Sequence, residues 1–245
     1  MVKHAVVIVG FLTTPAFGVV IDDFSDGAIT LVMDTDNRWI EEQQMGLNPD
    51  AVIGGRRHIR LVMNAPHSEG YQTVATVDTA TQTFHLNVDA NMENWSMQWG
   101  ANFFDNPDLA LNADLLSDGA NAFSIDVAAN LVYTSQSLGL GSGTNEETWQ
   151  MDATVVAFPA SDTPYSVRIP FSRFSDVNLH DVDYVAFGGG GMLGCDLTLG
   201  AIRTVPEPST LVTLILGLIG IMRIAPPRGY RQHCRVCQAR PNGAV

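Results

Sequence analysis

Lysine occurs once in the 245 residues, as Lys3. From Asp22 to Glu207 the positive charge is carried by seven arginines against all 26 acidic residues, a net of −19. A surface of that sign repels nucleic acid and anionic membranes, both polyanions, and it suits solubility and cation binding. Cysteine is scarce as well. Cys195 stands alone between the two ends of the chain, so no internal disulfide staples this stretch. Stability there rests on a packed core or a bound ion. Cys234 and Cys237 make a C-x-x-C in the tail, without the further ligands of a zinc site or a thioredoxin-like context. Catalytic signatures are missing: there is no H-E-x-x-H, no G-x-S-x-G, and His58, His67, His85 and His180 are scattered. The many carboxylates can be paired on paper, but glycosidase chemistry needs two acids facing across a cleft, which spacing cannot establish. The chain reads as a non-enzyme.

What is present is a series of strands. Ile29 to Met33, His58 to Met63, Thr83 to Val88, Ala122 to Val127, Thr154 to Phe158, Tyr165 to Ile169, Tyr184 to Phe187 and Leu197 to Ile202 are short and mostly alternating. Gly, Pro, Asn or Asp bounds each of them. Trp149 to Phe158 and Tyr165 to Ile169, joined across Pro159 to Pro164, form the clearest consecutive pair. Helical stretches are few: Glu41 to Met45 suggests a turn or two and Asn106 to Leu116 another. The pattern predicts one all-β domain over 19–204, an antiparallel β-sandwich of jelly-roll type.

Three features inside this domain invite functional readings. Trp95, Met97, Trp99, Ala101 and Phe103 fall on one face of a strand, with Ser96, Gln98, Gly100 and Asn102 on the other. Trp95 and Trp99 are candidate glycan contacts, stacking on sugar rings while amides bind hydroxyls; the same alternation equally describes a core face. Asp22, Asp23 and Asp26 crowd the first turn, while Asp181, Asp183 and Asp196 lie near the end of the domain. Such carboxylates offer the oxygen ligands calcium needs, although Ser25-Asp26-Gly27 also explains itself as a turn. Gly188 to Gly194 contains a G-x-G-x-x-G spacing but runs on into a strand, so a hairpin loop is expected there and not a dinucleotide fold.

The two ends carry targeting features. Lys3, the apolar run Ala5 to Leu12 and the small-x-small Ala16-Phe17-Gly18 read as a signal peptide over 1–18, the alternative being a first buried strand. At the other end Pro206-Glu207-Pro208 precedes the uncharged run Leu211 to Met222 and then Arg223, Arg228, Arg231, Arg235 and Arg240. Twelve helical residues rise about 18 Å against roughly 30 Å of hydrocarbon, so a short hydrophobic helix here suits transient membrane association or burial in protein. The arginines would stay cytoplasmic.

The order of Pro206-Glu207-Pro208, apolar helix and arginines resembles the PEP-CTERM sorting signal, over 205–228. The resemblance implies an exosortase-like membrane protease-transpeptidase as partner. It also implies passage through the inner membrane to the surface or extracellular matrix of a Gram-negative, exopolysaccharide-making bacterium. Residues 229–245 form a basic extension beyond the family pattern. Ile21 to Gly27, Gly54-Gly55-Arg56, Ile169 to Phe174 and Asp196 to Ile202 resemble galactose-binding-like jelly rolls among carbohydrate-binding modules. That likeness implies a structural calcium ion shared by Asp22, Asp23, Asp26 and Asp196, with no other cofactor. The expected role is a structural or adhesive matrix protein linked to exopolysaccharide; the alternatives are a calcium-stabilised carbohydrate-binding module and, behind it, a polysaccharide hydrolase.

Overall fold

The computed structural model describes residues 18–34, 38–63, 71–89, 94–101, 107–143, 148–191 and 193–206. Residues 1–17, where a signal peptide is expected, Glu207, Pro208, Arg223, Arg228 and the extension 229–245 lie outside the described residues. Among those described, no helix is long and apolar enough to cross a membrane.

Among the described residues, thirteen strands form two antiparallel sheets. The first sheet runs in the order β11 (Ser161–Pro170), β8 (Ala120–Ala129), β13 (Cys195–Pro206), β6 (Thr83–Val88), β5 (Thr73–Asp78) and β2 (Ile29–Met33). The short β1 (Val20–Asp22) pairs with the later half of β13. The second sheet runs β10 (Gln150–Phe158), β9 (Tyr133–Ser142), β12 (Tyr184–Gly189), β7 (Asn94–Gly100), β4 (Arg56–Val62) and β3 (Trp39–Met45). The all-β sandwich is therefore as the alternation predicts.

Alternation places one face of each strand indoors. Trp95, Met97 and Trp99 of β7 are buried, and so are Phe84, Leu86 and Val88 of β6 and Phe123, Ile125 and Val127 of β8. Trp95 stacks on Phe84 of the opposite sheet at 5.5 Å between ring centroids and meets Phe187 edge-on at 5.6 Å. Burial of each such side chain stabilises the fold by about 1.5–3 kcal/mol. This is the packed core that a domain without disulfides requires.

Several local expectations are corrected. Glu41 to Met45 is extended within β3 and not helical. Of the described part of the stretch Asn106 to Leu116, residues 107–116, only Pro107–Leu109 forms a 3-10 turn. β10 and β11 follow each other across Pro159-Ala160, yet they pair with β9 and β8 in different sheets. The glycine run is likewise no hairpin: β12 belongs to the second sheet and β13 to the first, so the two strands it joins lie in different layers.

The ends of the domain meet. Thr204 N–H donates to Val19 O at 2.8 Å, and Val20 pairs with Arg203. β13 continues past Thr204 to Pro206, where Arg168 Nη2 donates to the Pro206 carbonyl at 2.9 Å.

Candidate functional site

The first acidic turn closes around an arginine. Arg57, fully buried on the inward face of β4, donates from Nε to Asp22 Oδ2 at 2.5 Å and from Nη2 to Asp22 Oδ1 at 2.7 Å. Asp22 also accepts from the Trp99 indole and the Phe24 amide, both at 2.9 Å. Burial pushes the Asp22 carboxyl up, against the guanidinium and the two other donors that favour its anion. Asp26 accepts from the amides of Asn48 and Gly27 at 2.7 Å each, and Asp23 from the amide of Ser25 at 2.9 Å.

Asp196 is elsewhere. It lies on the outer face of β13, bonded to Asn87 and Asn130, six residues or roughly 20 Å along the strand from Ile202, the partner of Asp22. The four carboxylates proposed to share calcium therefore do not fit one ion. Among the described residues no three His, Cys, Asp or Glu side chains group as metal ligands. Arg57 supplies from within the chain the positive charge that the turn needs.

Trp95 and Trp99 are also corrected as glycan contacts. At 1% and 0% exposure their indoles lie between the sheets, so no sugar reaches them. The same strand nevertheless contributes to a surface site through its other face. Ser96 and Gln98 of β7 point outward beside Asn94 and help to line a groove of about 660 Å³ on the outer face of the second sheet.

The shape of the groove follows from residue size. Cross-strand register places Gln98 beside Ala186, Ala186 beside Gly139 and Gly139 beside Ala153, while Ser96 adjoins Gly188 and Gly188 adjoins Ser137. Four adjacent strands, β7, β12, β9 and β10, thus present a floor of Ser, Gly and Ala. Larger side chains, Arg60, Met151 and Tyr184, stand at the margins. Gly188 cannot be enlarged, because a Cβ there would lie 2.1 Å from the Trp95 carbonyl oxygen. Gly139 has ordinary space above it.

Aromatic rings flank both ends of this face. Trp39 of β3 is 56% exposed, and the Arg60 guanidinium carbon sits 4.1 Å from its ring centroid. At the far corner Trp149 lies over Gly141 and meets Tyr184 at 6.2 Å. The backbones of β7, β12 and β9 are paired on both sides, so over this part of the floor polar contacts to a ligand come from side chains. Asn94, Ser96, Gln98, Ser135 and Ser137 supply hydroxyls and amides, and Arg60 a guanidinium. The described lining contains no carboxylate and no histidine.

His58 and His85, on polar faces as their strands predict, have ordinary partners: His58 meets Glu41 at 3.3 Å, and His85 bonds Thr83 and Thr198 at 2.7 and 3.0 Å.

No family model matches the chain, and no curated protein does. Among solved structures it is similar to a family 11 carbohydrate-binding module from Clostridium thermocellum in complex with a β-1,3-1,4-mixed-linked tetrasaccharide. That alignment has 10% identity and a TM-score of 0.35, over 74% of this chain and 98% of that one. The family 30 carbohydrate-binding module of a cellulosomal cellulase of Clostridium thermocellum aligns at 14% identity and a TM-score of 0.38, over 74% and 99%. An agarase aligns at 12% and 0.42, over 79% of this chain and 27% of its own.

Proposed function

We propose that the domain is a non-catalytic polysaccharide-binding module that holds a glycan chain in the groove of the second sheet. The observation that carries this reading is the open, small-residue floor lined by amides and hydroxyls and flanked by Trp39 and by Trp149 with Tyr184. Sugar rings present apolar faces to aromatic rings and hydroxyls to amide side chains, and this surface offers both.

Gly139→Leu tests the reading directly, since its side chain would project from the floor without a backbone clash. In affinity electrophoresis against a panel of soluble polysaccharides, the variant should bind at least thirtyfold more weakly than wild type, about 2 kcal/mol, at an unchanged melting temperature. Equal retention of both proteins by a bound polysaccharide would place the glycan elsewhere.

The Pro206-Glu207-Pro208 motif with the run Leu211 to Met222 and its arginines supports a further part of the proposal: export, transient inner-membrane passage and release by an exosortase-like enzyme to an exopolysaccharide-containing surface. Cleavage after Gly18 and beyond Pro206 would leave every strand pairing of the described domain in place. Intact mass and fractionation of the native protein, with Pro206, Glu207 and Pro208 wild type or replaced by alanine, check this. A mature wild type still carrying Cys234 and Cys237 would refute it.

A further inference from the structure

Arg60 differs from the other arginines that the sheets position. Arg57 is paired with Asp22, Arg203 with Asp126, and Arg168 with Asn121 and the Pro206 carbonyl. Arg60 has no hydrogen-bond or ion-pair partner among the described residues, and its Nε is buried without an acceptor. Glu41, its neighbour in register on β3, turns its carboxylate to His58. What holds Arg60 is Trp39, whose ring stacks beneath the guanidinium at 4.1 Å. Stacking fixes the plane of the group and leaves its N–H donors around the rim, a fork shaped for a carboxylate or a sulfate.

The surroundings complete a receptor for one such group. A side pocket of about 310 Å³, lined by Arg60, Val62, Asn94, Trp95 and Ser96, opens beside the groove and shares Arg60, Asn94 and Ser96 with it. No described residue lining the pocket or the groove carries negative charge.

We infer that the glycan segment bound in this groove carries a single acidic group, a uronate carboxylate or a sulfate ester, and that Arg60 receives it in the side pocket beside Ser96 and Asn94. The inference rests on the polysaccharide-binding reading and narrows it to a ligand class. The domain's overall charge fits a sparse acid better than a uniformly charged chain. One guanidinium in a lining without described carboxylates answers one anion, while the excess of 26 acidic residues over seven arginines repels a polyanion. Charges beyond about 8 Å are largely screened at physiological ionic strength, so the local arginine decides the contact.

The test compares three soluble ligands on the intact domain: a neutral glucan tetrasaccharide, the same tetrasaccharide carrying one glucuronate, and the same carrying one sulfate. Affinities come from calorimetry, and the Arg60 Nε–H resonance is followed by NMR. One or both acidic ligands should bind wild type at least tenfold more tightly than the neutral one and move that resonance; the larger gain identifies carboxylate or sulfate. Arg60→Gln should lose the gain and keep the weaker neutral binding. Equal affinities for all three, or a gain that persists in Arg60→Gln, would overturn the inference and leave the glycan groove standing. Failure of all three to disturb any groove resonance would overturn both. The wild-type comparison and the resonance need no variant, so the result does not depend on whether Arg60→Gln folds.

Discussion

The outer faces of the two sheets are both polar, yet they differ in whether the polar groups find each other. On the first sheet a ladder crosses the strands: Thr30 meets Thr76, His85 bonds Thr83 and Thr198, Asn87 bonds Asp196, and Asp126 takes Ser166 and Arg203. Each of these side chains has a partner on its own or an adjacent strand. On the second sheet the floor is glycine, alanine and serine, Gln98 reaches Ser96 only at 3.5 Å, and Arg60 Nε has no acceptor. A polar face that satisfies itself has little left to offer a ligand. A polar face that is incomplete has donors and space to give, and for that reason the groove is the site we propose for the glycan.

The largest effect that would sharpen this contrast lies beneath the groove. Trp95→Ala should destabilise the domain by about 3–5 kcal/mol, the usual cost of deleting a large core aromatic, and chemical denaturation measures it. Binding by the fraction still folded should persist, because the indole faces the core. Trp39→Ala should do the reverse, lowering polysaccharide affinity roughly tenfold with little change in melting temperature, since the ring is exposed. A stability loss as large as that of Trp95→Ala would make Trp39 a structural residue. On the opposite face His85→Ala should shift stability by no more than about 0.5 kcal/mol and leave glycan affinity unchanged. A loss of binding there would break the distinction between the faces.

The smallest expected effect is a pH dependence outside both faces. Hydrogen bonds from the Asn48 and Gly27 amides hold the Asp26 carboxyl below its ordinary value of 3.8. A depressed pKa contributes stability that is complete above the unfolded value and is lost as pH falls through the folded one. Asp26→Asn should therefore lower stability slightly at neutral pH, where the charge contributes, and converge on wild type in acid, which flattens the acid limb below about pH 4. An identical acid limb in the two proteins would show that the turn does not depend on the charge.

Much of the architecture was legible because alternation is a local property. β2 and β6 fall on the residues their patterns predict, β8, β10 and β13 extend theirs by a few, and β4 starts two residues earlier and ends one sooner than expected. β3 was misread because Glu41, Glu42, Gln43 and Gln44 favour helices, and its edge position buries too little to override that preference in the pattern. β9 was missed because its serines and glycines are poor strand formers, although the strand is central in its sheet. Those glycines are small for a reason that only the fold displays: Gly139 forms the groove floor, and Gly141 lies under Trp149.

The sequence by itself determined the strand-rich class, the two-residue period of the strands and the concentration of acid in a domain with one cysteine, because these follow from composition and nearest neighbours along the chain. The tertiary structure alone decided which face of β7 is indoors, which sheet each of β10, β11, β12 and β13 joins, and that Asp22 is answered by Arg57 and separated from Asp196. It also decided the site. Arg60, Ser96, Gly139 and Gly188 lie far apart in sequence and become neighbours only through strand register, which arises when two sheets bury their apolar faces against each other.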